Sequence, residues 1–217
     1  MAEMSSEKPV DKNERSFYKV SMGKGEQTRQ AILDEAFALA SNIGVGGLSI
    51  GMLAERTRMS KSGLFAHFGS REELQVAAIE AAAARFTEMV FAPALKAPRG
   101  LPRIRALFDG WLDWTVRSGL GHGCPMQAAA IEFDDRPGAV RDAVVWHYER
   151  LERELARAVE LAMGQGHLRP NLDVAQFVFD MLGVIFAYYH GSRLMKRDVS
   201  AARARAAFER LVAAATP

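Results

Sequence analysis

The sequence predicts an all-α fold of about nine helices, and three observations carry that prediction. Apolar residues recur at helical spacing from Ile32 onward, glycine and proline breaks separate the segments, and no convincing strand-like alternation appears anywhere. Apolar residues make up 49% and charged residues 25% of the 217, close to the globular average, which excludes disorder of the whole chain. The longest strongly apolar run, Met181 to Tyr189, falls well short of the roughly 20 residues of a membrane-spanning helix, so no membrane partner is expected. A single cysteine, Cys124, excludes a disulfide framework and any zinc site built on several thiolates. The polar N-terminus has no apolar stretch of a secretory signal, so a reducing cytoplasm is the expected compartment.

Residues 1–24 read as a flexible, charge-rich tail, 25–70 as one unit and 71–217 as another. In the first unit, Ile32, Leu33, Ala36, Phe37, Ala40 and Ile43 line one face of a helix that Gly44, Gly46 and Gly47 stop. Two short helices follow, Ile50 to Thr57 and Lys61 to Phe68. Ser70-Arg71-Glu72-Glu73 is a capping box that opens a long alanine-rich helix to about Phe91. Pro102 suits a first helical turn, and behind it Ile104, Leu107, Phe108, Trp111 and Leu112 form a stripe. Ser118 to Gly123 is a glycine-rich break before a short helix from Pro125 through Phe133. A long helix runs from about Val140 to Gly164. Asp173 with Gln176 caps the next, whose wide stripe runs from Val174 to Tyr189, and a last helix spans about Ser200 to Ala214.

Leu48 to Phe68 has helix-turn-helix form. Ser49 and Ser60 carry the hydroxyls that cap its two helices. Leu53 and Ala54 face inward, Met59 plugs the connection, and Leu64 and Phe68, four apart, anchor the second helix. Lys61, Ser62, Phe65 and His67 are left pointing elsewhere, a small, basic and aromatic face suited to the DNA major groove. A purely structural helical hairpin has the same shape, and His67 is equally well read as an ordinary solvated histidine.

From Gln27 through Leu74 the ordered run of residues strongly resembles the TetR family of bacterial transcription regulators. The match covers the first helix (Thr28-Arg29-Gln30-Ala31-Ile32-Leu33), the glycine link, the helix-turn-helix and the closing His67-Phe68-Gly69-Ser70-Arg71-Glu72-Glu73-Leu74. The resemblance implies that Ser49, Lys61, Phe65 and His67 approach DNA, and that Ser60, Ser62 and Gly63 lie close to its backbone or bases. It implies phosphate contacts for Lys24, Thr28, Arg29 and Arg71 beside Lys61 and His67, with Ser49, Ser62 and Phe65 nearer base edges. Two residues depart from the family pattern. Phe65 stands where tyrosine is usual, which removes a hydroxyl but keeps a ring able to touch a thymine methyl. Arg58 stands where the turn usually has a small residue, which costs strain if the backbone there has positive φ.

The remainder of the chain looks similar to the family's ligand-binding and dimerisation half. The resemblance implies a pocket among Phe86, Met89, Phe108, Trp111, Trp114, Met126, Phe133 and Trp146, apolar surroundings oriented by a few polar groups. Gln127, Glu132 and His147 are the candidate polar groups, and each also fits a structural role. Cys124, beside proline, reads as buried and inert. The stripe with Phe177, Val178, Met181, Ile185 and Tyr189, together with Phe208 and Leu211 of the last helix, is assigned to a four-helix dimer interface; a helix buried within one protomer has the same stripe.

The enzymatic signatures H-E-x-x-H and E-x-x-H are absent, and no cofactor or metal is called for. The expected function is that of a homodimeric, ligand-responsive regulator of transcription. It is read as a repressor released from a palindromic double-stranded operator by a small, mainly apolar effector. An activator of the same fold is the other reading, and an α-helical enzyme using the apolar cavity a third that no acid–base pair supports. The net charge of +2 hides an asymmetry. Lys12 to Arg71 carries nine basic and five acidic residues, a net +4, so the rest of the chain sums to −2.

Overall fold

A computed structural model describes residues 23–119 and 123–217. The tail assigned to residues 1–24 therefore lies outside the described residues except for Gly23 and Lys24, and Lys24 already opens a helix. Among the described residues there are nine helical rods and no strand. Three form a small head: α1 (Lys24–Ile43), α2 (Ile50–Thr57) and α3 (Lys61–Phe68). The body begins with α4, which runs Arg71–Phe86, passes through a π-helical turn at Thr87–Phe91 and ends in Ala92–Ala94. Then come α5 (Leu101–Arg117), α6 (Pro125–Glu132) and α7 (Ala139–Gly164). The fold closes with α8, Val174–Tyr189 extended by a π turn at His190–Leu194, and α9 (Ser200–Ala215).

Side-chain caps set the short helices. Ser49 Oγ accepts from Met52 N at 3.2 Å, Ser60 Oγ from Gly63 N at 3.1 Å and Ser70 Oγ from Glu73 N at 3.0 Å. Each satisfies one of the orphan donors at a helix start. Asp173 does the same for α8 through Gln176 N at 3.0 Å. Between α2 and α3, Arg58 takes the left-handed conformation at φ 56°, ψ 32°, and its N–H reaches back to the carbonyls of Ala54 and Glu55. A Cβ there is crowded, so the strain anticipated for an arginine in the turn is present.

Two apolar clusters hold the molecule. The first joins Ile32, Leu33, Ala36, Leu53, Leu64 and Phe68 of the head to Leu74, Ala77, Ala78 and Ile79 of α4, Ala129 of α6 and Val140 and Val144 of α7. The second fills the body between α4, α5, α7, α8 and α9, and takes in Phe37 from α1, whose ring lies 6.0 Å from that of Trp114. The alanine-rich α4 thus lies in both cores. Exposed ion pairs fasten α9 to α5: Arg105 grips Glu209 with two bonds of 2.9 and 2.7 Å, and Arg205 reaches Asp109 at 2.9 Å.

The dimer stripe assigned from the sequence is corrected here. Phe177, Val178, Met181, Ile185, Tyr189 and Phe208 are buried inside a single protomer, and Leu211 is half-buried. Phe208 stacks on Phe108 at 4.0 Å. The cause is that α8 is apolar nearly all round, so periodicity does not say which face turns inward. The outward face carries Phe179, 70% exposed, and Phe186, 40% exposed, on either side of Gly183. Among the described residues no helix is long and apolar enough to cross a membrane, and no group of His, Cys, Asp and Glu suits a metal ion.

Arg58→Gly is expected to raise the thermal midpoint by about 2 °C, because glycine adopts a left-handed turn without the Cβ clash. A calorimetric scan in which the midpoint falls would mean that the arginine side chain contributes more than its backbone costs.

Candidate DNA-binding head and effector cavity

On α3 the inward and outward residues separate as the sequence indicates. Leu64 and Phe68 are buried, whereas Lys61, Ser62 and Phe65 are exposed, Phe65 by half its surface. The starts of α2 and α3 lie side by side, with Lys61 Cε 3.8 Å from where a Cβ on Gly51 would stand. Ser49 and Ser60 spend an oxygen lone pair on capping, and Ser60 Oγ also lies 3.1 Å from Ser62 Oγ. A capping hydroxyl keeps its proton available to donate. Gly63 is tight against Ser60 Oγ, at 3.2 Å from an added Cβ.

The other assigned head residues divide. Lys24 is exposed at the start of α1, and Thr28 donates its hydroxyl proton to the Lys24 carbonyl at 2.9 Å. His67 is half-buried beside Phe68. Arg29 lies over the Phe68 ring at 5.1 Å, bracing an anchor of α3. Arg71 donates from Nε to the Leu48 carbonyl at 2.8 Å and from Nη2 to the Gly46 carbonyl. Its donors hold the α1–α2 loop, so the guanidinium is a staple of the head in this conformation. Arg56 is paired with Glu35 at 2.6 Å. Among the described residues, the basic excess read from the sequence is therefore presented mainly by Lys24, Arg58 and Lys61, all exposed; Lys12, Arg15 and Lys19 lie outside them.

That loop joins head to body. Gln75 of α4, buried, donates to the Val45 carbonyl at 3.0 Å, and Glu132 at the end of α6 accepts from Gly46 N at 2.7 Å. Glu132 thus faces the head and takes no part in a pocket. Phe133 is at the same joint, its Cζ 3.8 Å from a Cβ built on Gly46, with Arg136 5.9 Å from its ring.

The body holds an open-sided cavity of about 380 Å³, within the usual range for small-molecule sites. Besides Glu132, ten residues are assigned to it, of which Phe86, Trp111, Met126, Gln127 and His147 line it. The other five do not. Met89 is packed against the body core, Phe108 is taken up by Phe208, and Trp114 lies behind Phe86 at 5.4 Å. Phe133 lies at the joint, and Trp146 is half exposed on the surface, under Arg150 at 5.6 Å. The sequence reading missed Phe91, Glu80, Cys124 and Tyr148. Phe91 lies five residues after Phe86, one turn of the π helix, which sets the two rings edge to face at 6.0 Å. A search at 3.6-residue spacing does not join that pair. Glu80 reads as a solvated charge on an alanine-rich helix.

His147 carries the polar interest of the cavity. Its side chain is only 8% exposed, and Nε2 lies 3.1 Å from Glu80 Oε2 but off the line of a hydrogen bond, so Nε2 has no hydrogen-bond partner. A buried, unsatisfied ring nitrogen is costly unless something fills the site. Burial also pushes the Cys124 thiol and the Tyr148 phenol above their ordinary pKa values. Both are neutral groups at pH 7, in keeping with an apolar interior.

With the geometry described, comparison with known proteins gives the family. Residues 32–78 match the family of bacterial regulatory proteins named for tetR, and residues 100–208 match the tetracyclin repressor-like C-terminal domain. The chain belongs to the TetR family of transcriptional regulators. A TetR-family regulator from Cytophaga hutchinsonii shares the fold at a TM-score of 0.79 and 20% identity, over 90% of this chain and 98% of its own. One from Chloroflexus aurantiacus gives 0.77 and 26%, over 88% and 94%. AibR in complex with isovaleryl coenzyme A and operator DNA gives 0.60 and 25%, over 74% and 85%. No curated protein matches the chain by sequence.

Cys124 is expected to react with Ellman's reagent at least about tenfold more slowly in the native protein at pH 7.5 than in denaturant, because a raised thiol pKa leaves little thiolate. The native rate should climb as pH rises beyond the ordinary thiol range. Equal rates in the two states would mean that the sulfur is open to solvent.

Proposed function

We propose that this protein is a homodimeric, ligand-responsive DNA-binding regulator, acting as a repressor that a small, mainly apolar effector releases from a palindromic operator. The observation that carries the reading is the face of α3, where Lys61, Ser62 and Phe65 stand exposed on a helix anchored by buried Leu64 and Phe68. Each protomer inserts that helix into a major groove, with the two helices about 34–36 Å apart for half-sites one turn apart. Lys61 and Lys24 neutralise phosphates, while Ser49, Ser62 and Phe65 lie nearer the base edges. The effector enters the cavity with its apolar part against Phe86, Phe91 and Trp111 and a polar group at His147 and Gln127. A relative solved with both isovaleryl coenzyme A and operator DNA supports pairing the two sites in one chain. The effector biases the spacing of the heads through α4, only by its difference in affinity for the two states.

A mobility-shift assay on the DNA upstream of the protein's own gene tests the reading directly, and no shift at low salt would reject it. Lys61→Ala is expected to weaken binding to all sequences alike and to lower the salt slope by about 1. An unchanged slope would remove Lys61 from the phosphate contacts.

Dimerisation uses the exposed face of α8 with Phe179, Gly183 and Phe186, beside α9. Phe179→Glu is expected to give folded monomers by light scattering with an unchanged circular dichroism spectrum. A dimer that survives would move the interface to another face. Ile185→Glu, by contrast, buries a charge in the protomer core and is expected to destabilise the fold itself.

A further inference from the structure

We propose that Glu132 is a positioning residue that transmits the state of the cavity to the DNA-binding head; the proposal rests on the reading above that the cavity holds the effector. α6 is only eight residues long. Its first turn, with Met126 and Gln127, forms cavity wall, and its last residue is Glu132. The two ends lie about 10 Å apart along a stiff rod, so displacement at one end reaches the other.

The far end is fitted to the head. Glu132 Oε2 accepts from Gly46 N at 2.7 Å, a charge-assisted and therefore directional bond. The carboxylate has room there because two residues of the loop lack side chains. A methyl on Gly44 would overlap the carboxylate, and one on Gly46 would stand 3.1 Å from Oε2. Gly44 also has φ 78°, which a side chain would strain.

The polar groups of the loop are divided between two helices, and both are cavity walls. The Gly46 N–H goes to α6, whereas the Gly46 and Leu48 carbonyls go to Arg71 and the Val45 carbonyl to Gln75, all on α4. The loop runs directly into Ser49, the cap of α2. Relative motion of α6 and α4 therefore pulls the loop between two sets of bonds and turns α2 and α3 with it. An effector that pushes on Met126 or Gln127 breaks or re-aims the Glu132 bond and releases one side of the loop.

The single cysteine supplies the probe. Cys124 lies at the cavity wall just before α6. Methyl methanethiosulfonate at pH 9 transfers one methylthio group to the Cys124 thiolate, forming a mixed disulfide and releasing methanesulfinate, and so places a covalent filler in the cavity. The readout is hydrogen exchange of peptides covering residues 44–57 in the full chain, with a peptide from α8 and α9 as the control for global stability. In the wild type, labelling is expected to speed exchange of the loop about tenfold and to weaken binding to upstream DNA. In Glu132→Ala the unlabelled loop is expected to exchange fast already, and labelling to add less than about twofold. Glu132→Gln keeps an acceptor and should restore part of the response. Gly46→Ala crowds the carboxylate from the other side and should abolish it, which gives a second variant should Glu132→Ala fail to fold. A labelling response in Glu132→Ala equal to that of the wild type would overturn the role of Glu132 while leaving the effector cavity standing. A wild-type loop indifferent to the label would reject both the latch and the coupling of the cavity to the head.

Discussion

The six residues between α1 and α2 satisfy only some of their own peptide groups, and much of the molecule is arranged around that fact. A backbone N–H or carbonyl shut away from water has to find a partner. In this loop the partners come from outside: Gln75 and Arg71 from α4 and Glu132 from α6. The three side chains sit on helices that also build the cavity of the body. One local shortage of hydrogen bonds thereby ties the helix-turn-helix head to the walls of the cavity in the body. No long-range field is needed, only three side chains on two rods.

The cavity is organised around one ring. Phe86 meets Phe91, Trp111 and Trp114 edge to face, an arrangement that suits the charge distribution of aromatic rings. Two of these partners are cavity wall and the third backs it from behind, so the apolar surface is rigid on the α4 side. Against it stands His147 with an unsatisfied nitrogen. Glu80, 3.1 Å from that nitrogen, and Gln127 stand in the same wall, so the cavity is apolar on one side and polar on the other.

Much of this was legible in the sequence because it rests on local rules. The starts of α2, α3 and α4 follow from Ser49, Ser60 and Ser70, whose hydroxyls cap as their positions indicate. The division of α3 into buried Leu64 and Phe68 and exposed Lys61, Ser62 and Phe65 follows from four-residue spacing. The strain at Arg58 follows from a bulky residue in a turn. The misses have equally physical causes. On α8 nearly every side is apolar, so the choice between own core and partner belongs to packing. Phe91 joined the cavity through a π turn, a change of pitch that composition does not announce. Arg71 reads as a phosphate contact and Glu132 as a polar group of the pocket in sequence, whereas their partners are a carbonyl and an amide 25 and 86 positions away.

Because its core runs on into α4, α6 and α7, the head is not a detachable module. Leu74 and Ile79 of α4, Ala129 of α6 and Val140 and Val144 of α7 complete its interior. Residues 25–70 cut out alone would expose the apolar side of α1 and lose three of the groups that hold its loop. A chimera that gives this body a different reading head must carry its junction within α4, beyond Ile79, and must match the foreign loop to Glu132. Substitutions on the outward side of α3 disturb the rest of the protein less than exchange of whole segments, since Lys61 and Phe65 are exposed there and take no part in either apolar cluster.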